Sequence, residues 1–180
     1  MRKHGPWTVL KSQEMYRDPW IQVVRDDVLR PDGDPGTYAT VQLKSGVCVI
    51  ALDEQQNVHL TKEFHYAVGR DTLEGVSGGI EADESPQLAA ERELAEELGL
   101  RASRWMHLGK VDPFTAAIHS TVDLFLAENL TQGDRAPEGT ELIQHVAIPL
   151  HEALKMVRQS EITHAPTCVA LLMLALDRST

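Results

Sequence analysis

Apolar positions along this chain fall into short runs and alternations that mark its elements. Val47-Cys-Val-Ile-Ala-Leu52 is continuously apolar and Val58-His-Leu-Thr-Lys62 alternates, so the polar Asp53–Asn57 stretch between them predicts a hairpin. Trp7-Thr-Val-Leu10 and Trp20-Ile-Gln-Val-Val24 read as short strands, ahead of a turn or linker signal at Asp32-Gly-Asp-Pro-Gly36. Trp105–Val111, Thr121–Ala127 and His145–Ile148 complete the strand candidates. Three helices are expected. The first opens on Ser85-Pro86, an N-cap followed by proline, and stops at Gly99. The second runs from about His151 to Gln159, and the third from Pro166 to about Asp177. The third is apolar on most sides and belongs in a core. Strands interspersed with few helices predict an α/β chain with a mixed, α+β-type sheet covered by helices.

The first helix carries the candidate chemistry. At 100° per residue, Glu93, Glu96 and Glu97 fall within an arc of about 100°. Leu88, Leu94, Ala95 and Leu98 fall on the opposite side, which predicts one buried face and one carboxylate face. Like charges three and four apart repel, and a hard divalent cation such as Mg2+ or Mn2+ would relieve them. A solvated acidic face is the ordinary reading of such a cluster taken alone. Its surroundings favour the metal: Ser77-Gly78-Gly79 allows close backbone approach to a ligand, and Arg92 can orient a carboxylate or pair with Glu84.

The charge balance changes the picture in the same direction. The 180-residue chain carries a net charge of −10, and no basic patch is present for nucleic acid. An acidic protein still accepts an anionic substrate when carboxylates hold cations between them. Cys48 and Cys168 each lie in an apolar run and read as buried thiols of a reducing compartment. No secretory signal opens the chain, and the longest apolar run, Cys168 to Leu176, is too short for a bilayer. A cytoplasmic protein with no membrane partner is expected. The histidines lack zinc-site spacing, and no phosphate-binding Gly-x-x-x-x-Gly-Lys loop exists.

The stretch from Gly78 to Leu100 resembles the Nudix signature, G-x5-E-x7-R-E-U-x-E-E-x-G-U with U aliphatic. Gly78, Glu84, Arg92, Glu93, Leu94, Glu96, Glu97, Gly99 and Leu100 fill every specified position. Seven fixed letters coincide by chance on the order of once in 10⁸ windows at ordinary residue frequencies. The likeness extends to the ADP-ribose pyrophosphatase type. Thr61-Lys-Glu-Phe-His65 and Leu73-Glu74-Gly-Val-Ser77-Gly78 resemble its approach to the box, with His65 where an arginine is usual. Ile148-Pro-Leu-His-Glu-Ala-Leu154, Glu161-Ile-Thr-His-Ala-Pro-Thr167 and the N-terminal strands with Trp20 resemble its other parts.

This resemblance implies an α/β/α sandwich over residues 43–180 and a small N-terminal β region, 1–42, used for homodimerisation. It implies Mg2+ (or Mn2+) bound by Glu93, Glu96, Glu97 and the Ser77 carbonyl, to neutralise the diphosphate and acidify and position a water. Arg92 and Glu84 would hold loop and helix together. Trp20, His65, Glu74 and Glu141 become candidate substrate contacts, Trp20 equally a dimer-packing aromatic. The expected reaction is hydrolysis of ADP-ribose or a related nucleoside diphosphate sugar to a nucleoside monophosphate and a sugar phosphate. Hydrolysis of nucleoside triphosphates or dinucleoside polyphosphates, or a ligand-sensing domain without catalysis, are the alternatives. One departure matters: the loop Asp112-Pro-Phe-Thr-Ala-Ala-Ile-His119-Ser lacks the glutamate of the ADP-ribose type. The catalytic base is then a box glutamate, with Glu93 or Glu96 favoured, or His119, or an acid from Glu138-Gly-Thr-Glu141.

Overall fold

The computed structural model describes residues 1–133 and 142–178, which form two compact units. One comprises Met1–Lys44 with Asp112–Thr121; the other comprises Ser45–Val111 with Val122–Thr180. The second unit thus begins at Ser45, and a ten-residue segment from the middle of the chain belongs with the N-terminal strands.

In the N-terminal unit, β1 (Arg2–His4), β2 (Trp7–Arg17), β3 (Ile21–Leu29), β4 (Pro35–Leu43) and β10 (Ile118–His119) form a five-stranded sheet in that order. The expected short strands are long ones, and the turn signal at Asp32–Gly36 is the tip of a β3–β4 hairpin rather than a linker. Its tip is tied by Arg30 N–H donating to the Asp34 carbonyl at 2.8 Å. Alternation is weak in β4 because few of its side chains are buried, so its hydrophobic pattern carries no strand signal. Only Val9 and Val28 are buried in this unit.

In the larger unit, β5 (Gly46–Leu52), β6 (Asn57–His65), β9 (Leu100–Val111), β11 (Val122–Gln132) and β12 (Gln144–Pro149) make a sheet ordered β12-β6-β5-β11-β9. Strands β7 (Arg70–Glu74) and β8 (Val76–Gly79) add to β6 and β5. The sheet is mixed, since β11 runs parallel to β5 and antiparallel to β9. The β5–β6 hairpin is present, its turn closed by Asp53 accepting from the Asn57 backbone N–H at 2.7 Å.

The continuous apolar run of β5 has a direct cause: both faces of this strand are covered. Val47, Val49 and Ala51 pack under α1 (Pro86–Leu98), with Leu94, Leu98, Phe125 and Ala127. Cys48, Ile50 and Leu52 pack on the other face against Ala153 of α2 (Leu150–Arg158) and Ala170, Leu171 and Leu174 of α3 (Ala165–Asp177). The larger unit is therefore an α/β/α sandwich. Cys48 is fully buried and its thiol is pushed up to about 11 by burial; Cys168 is half-buried, a correction to the expectation of two buried thiols. Among the described residues no helix is long and apolar enough to cross a membrane.

Candidate active site

Helix α1 is set by its ends. Ser85, extended at φ −77° and ψ 153°, accepts from the Leu88 N–H, and Pro86 occupies the first turn. Gly99 ends the helix in the left-handed region at φ 64°, ψ 27°, donating to the Ala95 and Leu94 carbonyls. The carboxylates do not lie opposite the packed face, contrary to the expectation from the pattern. Leu88 is 56% exposed, while Ala89, Ala90, Leu94, Glu97 and Leu98 are buried. Taking Glu93 as origin, the buried arc is centred near about 50°, and Glu97 at about 40° sits in the middle of it. Ala89, Ala90, Leu94 and Leu98 of the same arc pack in the core with Val47, Val49 and Phe125.

Arg92 ties the site together. Its Nε and Nη2 donate to the two oxygens of Glu84 at 3.0 Å each, a bidentate pair. Nη2 also donates to the Gly79 carbonyl at 2.9 Å, and Nη1 donates to Glu93 at 2.8 Å and Glu96 at 3.0 Å. Glu84 in turn accepts from the Glu81 backbone N–H at 3.0 Å. One guanidinium thus fastens the loop before α1 to three acids of the box. Its bonds to Glu84 first, then to Glu93 and Glu96, raise the Arg92 pKa well above its ordinary value, against the opposing effect of burial. The Arg92 hydrogen bond likewise holds the Glu84 carboxyl below the usual carboxylate range.

Gly78 completes the geometry by what it lacks. A Cβ built at Gly78 would fall on the carboxylate of Glu93, so that carboxylate lies directly against the backbone of β8, beside Ser77. Ser77 pairs with Cys48 in β5, and its hydroxyl donates to the Gly75 carbonyl at 2.8 Å. Among the described residues, no group of three or more His, Cys, Asp or Glu side chains is gathered around one ion position, and Arg92 Nη1 bonds both Glu93 and Glu96. The chemistry of the donor set nevertheless fits a hard divalent cation: three carboxylates on one helix arc, one of them against the backbone of β8, all oxygen donors.

Other predicted residues fall into separate groups. His65 Nε2 stands 3.2 Å from Glu74, and Glu74 accepts from Thr72 at 2.6 Å. Trp20 is 73% exposed in the turn before β3, and exposed His119 of β10 pairs with Gln42 of β4; both belong to the N-terminal unit. Glu138 and Glu141 lie outside the described residues. Sequence reasoning missed two residues near Glu74. His164 Nδ1 is 3.3 Å from the second Glu74 oxygen, and burial pushes this imidazole down. Thr167, fully buried, bonds His164 at 2.8 Å and accepts from the Gly75 N–H at 2.8 Å. A threonine inside an apolar helix was the available signal, since a buried hydroxyl requires a partner.

Residues 42–167 match the family model described as NUDIX domain. The chain belongs to this family. Residues 7–41 match a second model, the nucleoside diphosphate sugar hydrolase N-terminal domain. The Nudix chain is 29% identical to an ADP-ribose pyrophosphatase of Bacillus subtilis, over 96% of this chain and 94% of that protein. It is 28% identical to an ADP-ribose pyrophosphatase of Mycobacterium tuberculosis, over 92% and 81% of the two chains. A solved structure described as an ADP compounds hydrolase superposes with a TM-score of 0.84 at 20% identity, covering 97% of this chain and 95% of the other. That likeness is one of fold. The protein is a Nudix hydrolase.

Proposed function

We propose that this Nudix hydrolase splits the diphosphate of ADP-ribose or a related nucleoside diphosphate sugar, releasing a nucleoside monophosphate and a sugar phosphate. The observation that carries this reading is the complete box standing in the same chain as an N-terminal segment of the nucleoside diphosphate sugar hydrolase type. Relatives named ADP-ribose pyrophosphatase along nearly the whole length support it. Glu93, Glu96, Glu97 and the Ser77 carbonyl would hold Mg2+, which neutralises phosphate charge and promotes ionisation of water. Arg92 and Glu84 hold the loop and helix in register with each other. A water oxygen bonds to phosphorus, the bridging P–O bond breaks, and the water proton passes to a box carboxylate, Glu93 or Glu96. His65 and Glu74 are proposed substrate contacts, with Trp20 offering a face for stacking.

A panel of ADP-ribose, other nucleotide sugars, nucleoside triphosphates and dinucleoside polyphosphates with Mg2+ tests this. The highest kcat/KM is expected on a nucleoside diphosphate sugar. Tenfold preference for a triphosphate or dinucleoside polyphosphate would transfer the assignment to that class. With a box carboxylate as base, His119→Ala lowers kcat less than tenfold and leaves the acidic limb of the pH profile in place. A thousandfold drop with that limb abolished would make His119 the base.

We also propose a homodimer to which the residues up to about Thr40 contribute. The N-terminal unit has two buried side chains, yet exposes Leu10, Met15, Tyr16, Trp20 and Tyr38 at 39–73%. Such a surface is stabilised by a partner. Sedimentation at micromolar concentration should show the dimer, and truncation before Thr40 should dissociate it; a monomeric full chain refutes it.

A further inference from the structure

Strand β9 is the edge of the larger sheet, and its side chains should alternate between faces. His107 and Lys110 are three residues apart, so a regular strand would aim them to opposite sides. A bulge intervenes: Leu124 pairs with Gly109 while Phe125 pairs with His107, making Leu108 the extra residue. Gly109, at φ 155°, supplies the backbone freedom for it. The extra residue returns His107 and Lys110 to one face. There they converge on Asp123 of β11. His107 Nε2 is 2.8 Å from Oδ1, and Lys110 Nζ is 3.2 Å from Oδ2.

That face is the one that carries the box. Asp123 continues the alternation of Phe125 and Ala127, which pack under α1. Asp123 pairs with Val47 in β5, and Val47 pairs with Gly78 in β8, where the Glu93 carboxylate rests. Two strand spacings put Asp123 roughly 10 Å from Gly78 along one row. Asp123 is 5% exposed, whereas the Lys110 side chain is 53% exposed. A purely structural role explains this poorly, because a carboxylate held at 5% exposure is costly and a hydrophobic residue in its place is often neutral or stabilising. Nor does core packing require a bulge that gathers two basic side chains onto one carboxylate.

Resting on the function proposed above, we propose that Lys110, aimed by Asp123 and flanked by His107, is an anion-binding arm of the site that takes a phosphate oxygen of the substrate. Its ammonium has three N–H donors, of which Asp123 engages one side. Lys110 acts in binding, leaving proton transfer to the box.

The test is calorimetric titration of α,β-methylene ADP, a non-hydrolysable nucleoside diphosphate, into the full chain with Mg2+. Lys110→Met keeps the stem of the side chain and should weaken binding at least tenfold; Lys110→Arg should restore it to within threefold of wild type. On the best hydrolysed substrate, Lys110→Met should raise KM by a similar factor with kcat within twofold. Thermal melting within a few degrees of wild type in both variants separates this from misfolding. Equal affinity of wild type and Lys110→Met overturns the proposal, as does an equal loss in the arginine variant. Because the titration needs no turnover, its outcome is independent of which substrate the panel favours.

Discussion

Glu97→Gln will lower turnover a hundredfold or more, about 3 kcal/mol in the barrier, with the fold intact. The substitution keeps size and shape and removes only the charge. Glu97 sits in the buried arc of α1 among Ala90, Leu94 and Leu98 at 9% exposure, and glutamine fills the same volume there. The variant should therefore melt within a few degrees of wild type. What is lost is the carboxylate that, with Glu93 and Glu96, would neutralise a divalent cation beside the Ser77 carbonyl. The measurement is kcat at saturating Mg2+ alongside a thermal melt. Full activity in the variant, or undiminished wild-type activity in excess chelator, would remove the metal assignment.

Gly78→Ala is expected to cost a comparable amount of activity for a different reason. Gly78 lies outside the left-handed region, so an alanine meets no backbone strain there. It meets Glu93, whose carboxylate occupies the space a Cβ would take. That carboxylate is the end of a flexible side chain and will swing aside at little cost to the fold. Its position against β8, and its bond to Arg92, go with it. We expect a melting temperature within a few degrees of wild type and a kcat at least a hundredfold lower. Retention of more than a tenth of the activity would mean that the placement of Glu93 against Gly78 is dispensable.

Much of the site can be read directly from the residues. The spacing from Gly78 to Leu100 is specific enough to name the family. The helix that carries it has its start at Ser85-Pro86 and its stop at Gly99, where cap chemistry is local. The unbroken apolar run at Val47–Leu52 marked one strand of a hairpin, and the fold covers both of its faces with α1 on one side and α2 and α3 on the other. Local chemistry of this kind depends on near neighbours in the chain, so it survives without knowledge of the fold.

Other features depend on which surfaces meet. Helical periodicity states the angles between Glu93, Glu97 and Leu88, but not which arc is turned inward. Contact with the sheet decided that, burying Glu97 with Ala89, Ala90, Leu94 and Leu98 and leaving Leu88 exposed. Alternation along β9 predicts opposite faces for His107 and Lys110. The bulge reversed this, since register is a property of two paired strands. The segment Asp112–Thr121 joins the N-terminal unit through pairing of β10 with β4, about 75 residues apart in sequence. His164 and Thr167 reach Glu74 and Gly75 only when α3 packs on the sheet. Capping, turn chemistry and motif spacing are short-range and were legible in the chain; face, register and partner are set by long-range packing, which acts only once the sheet and its helices have come together.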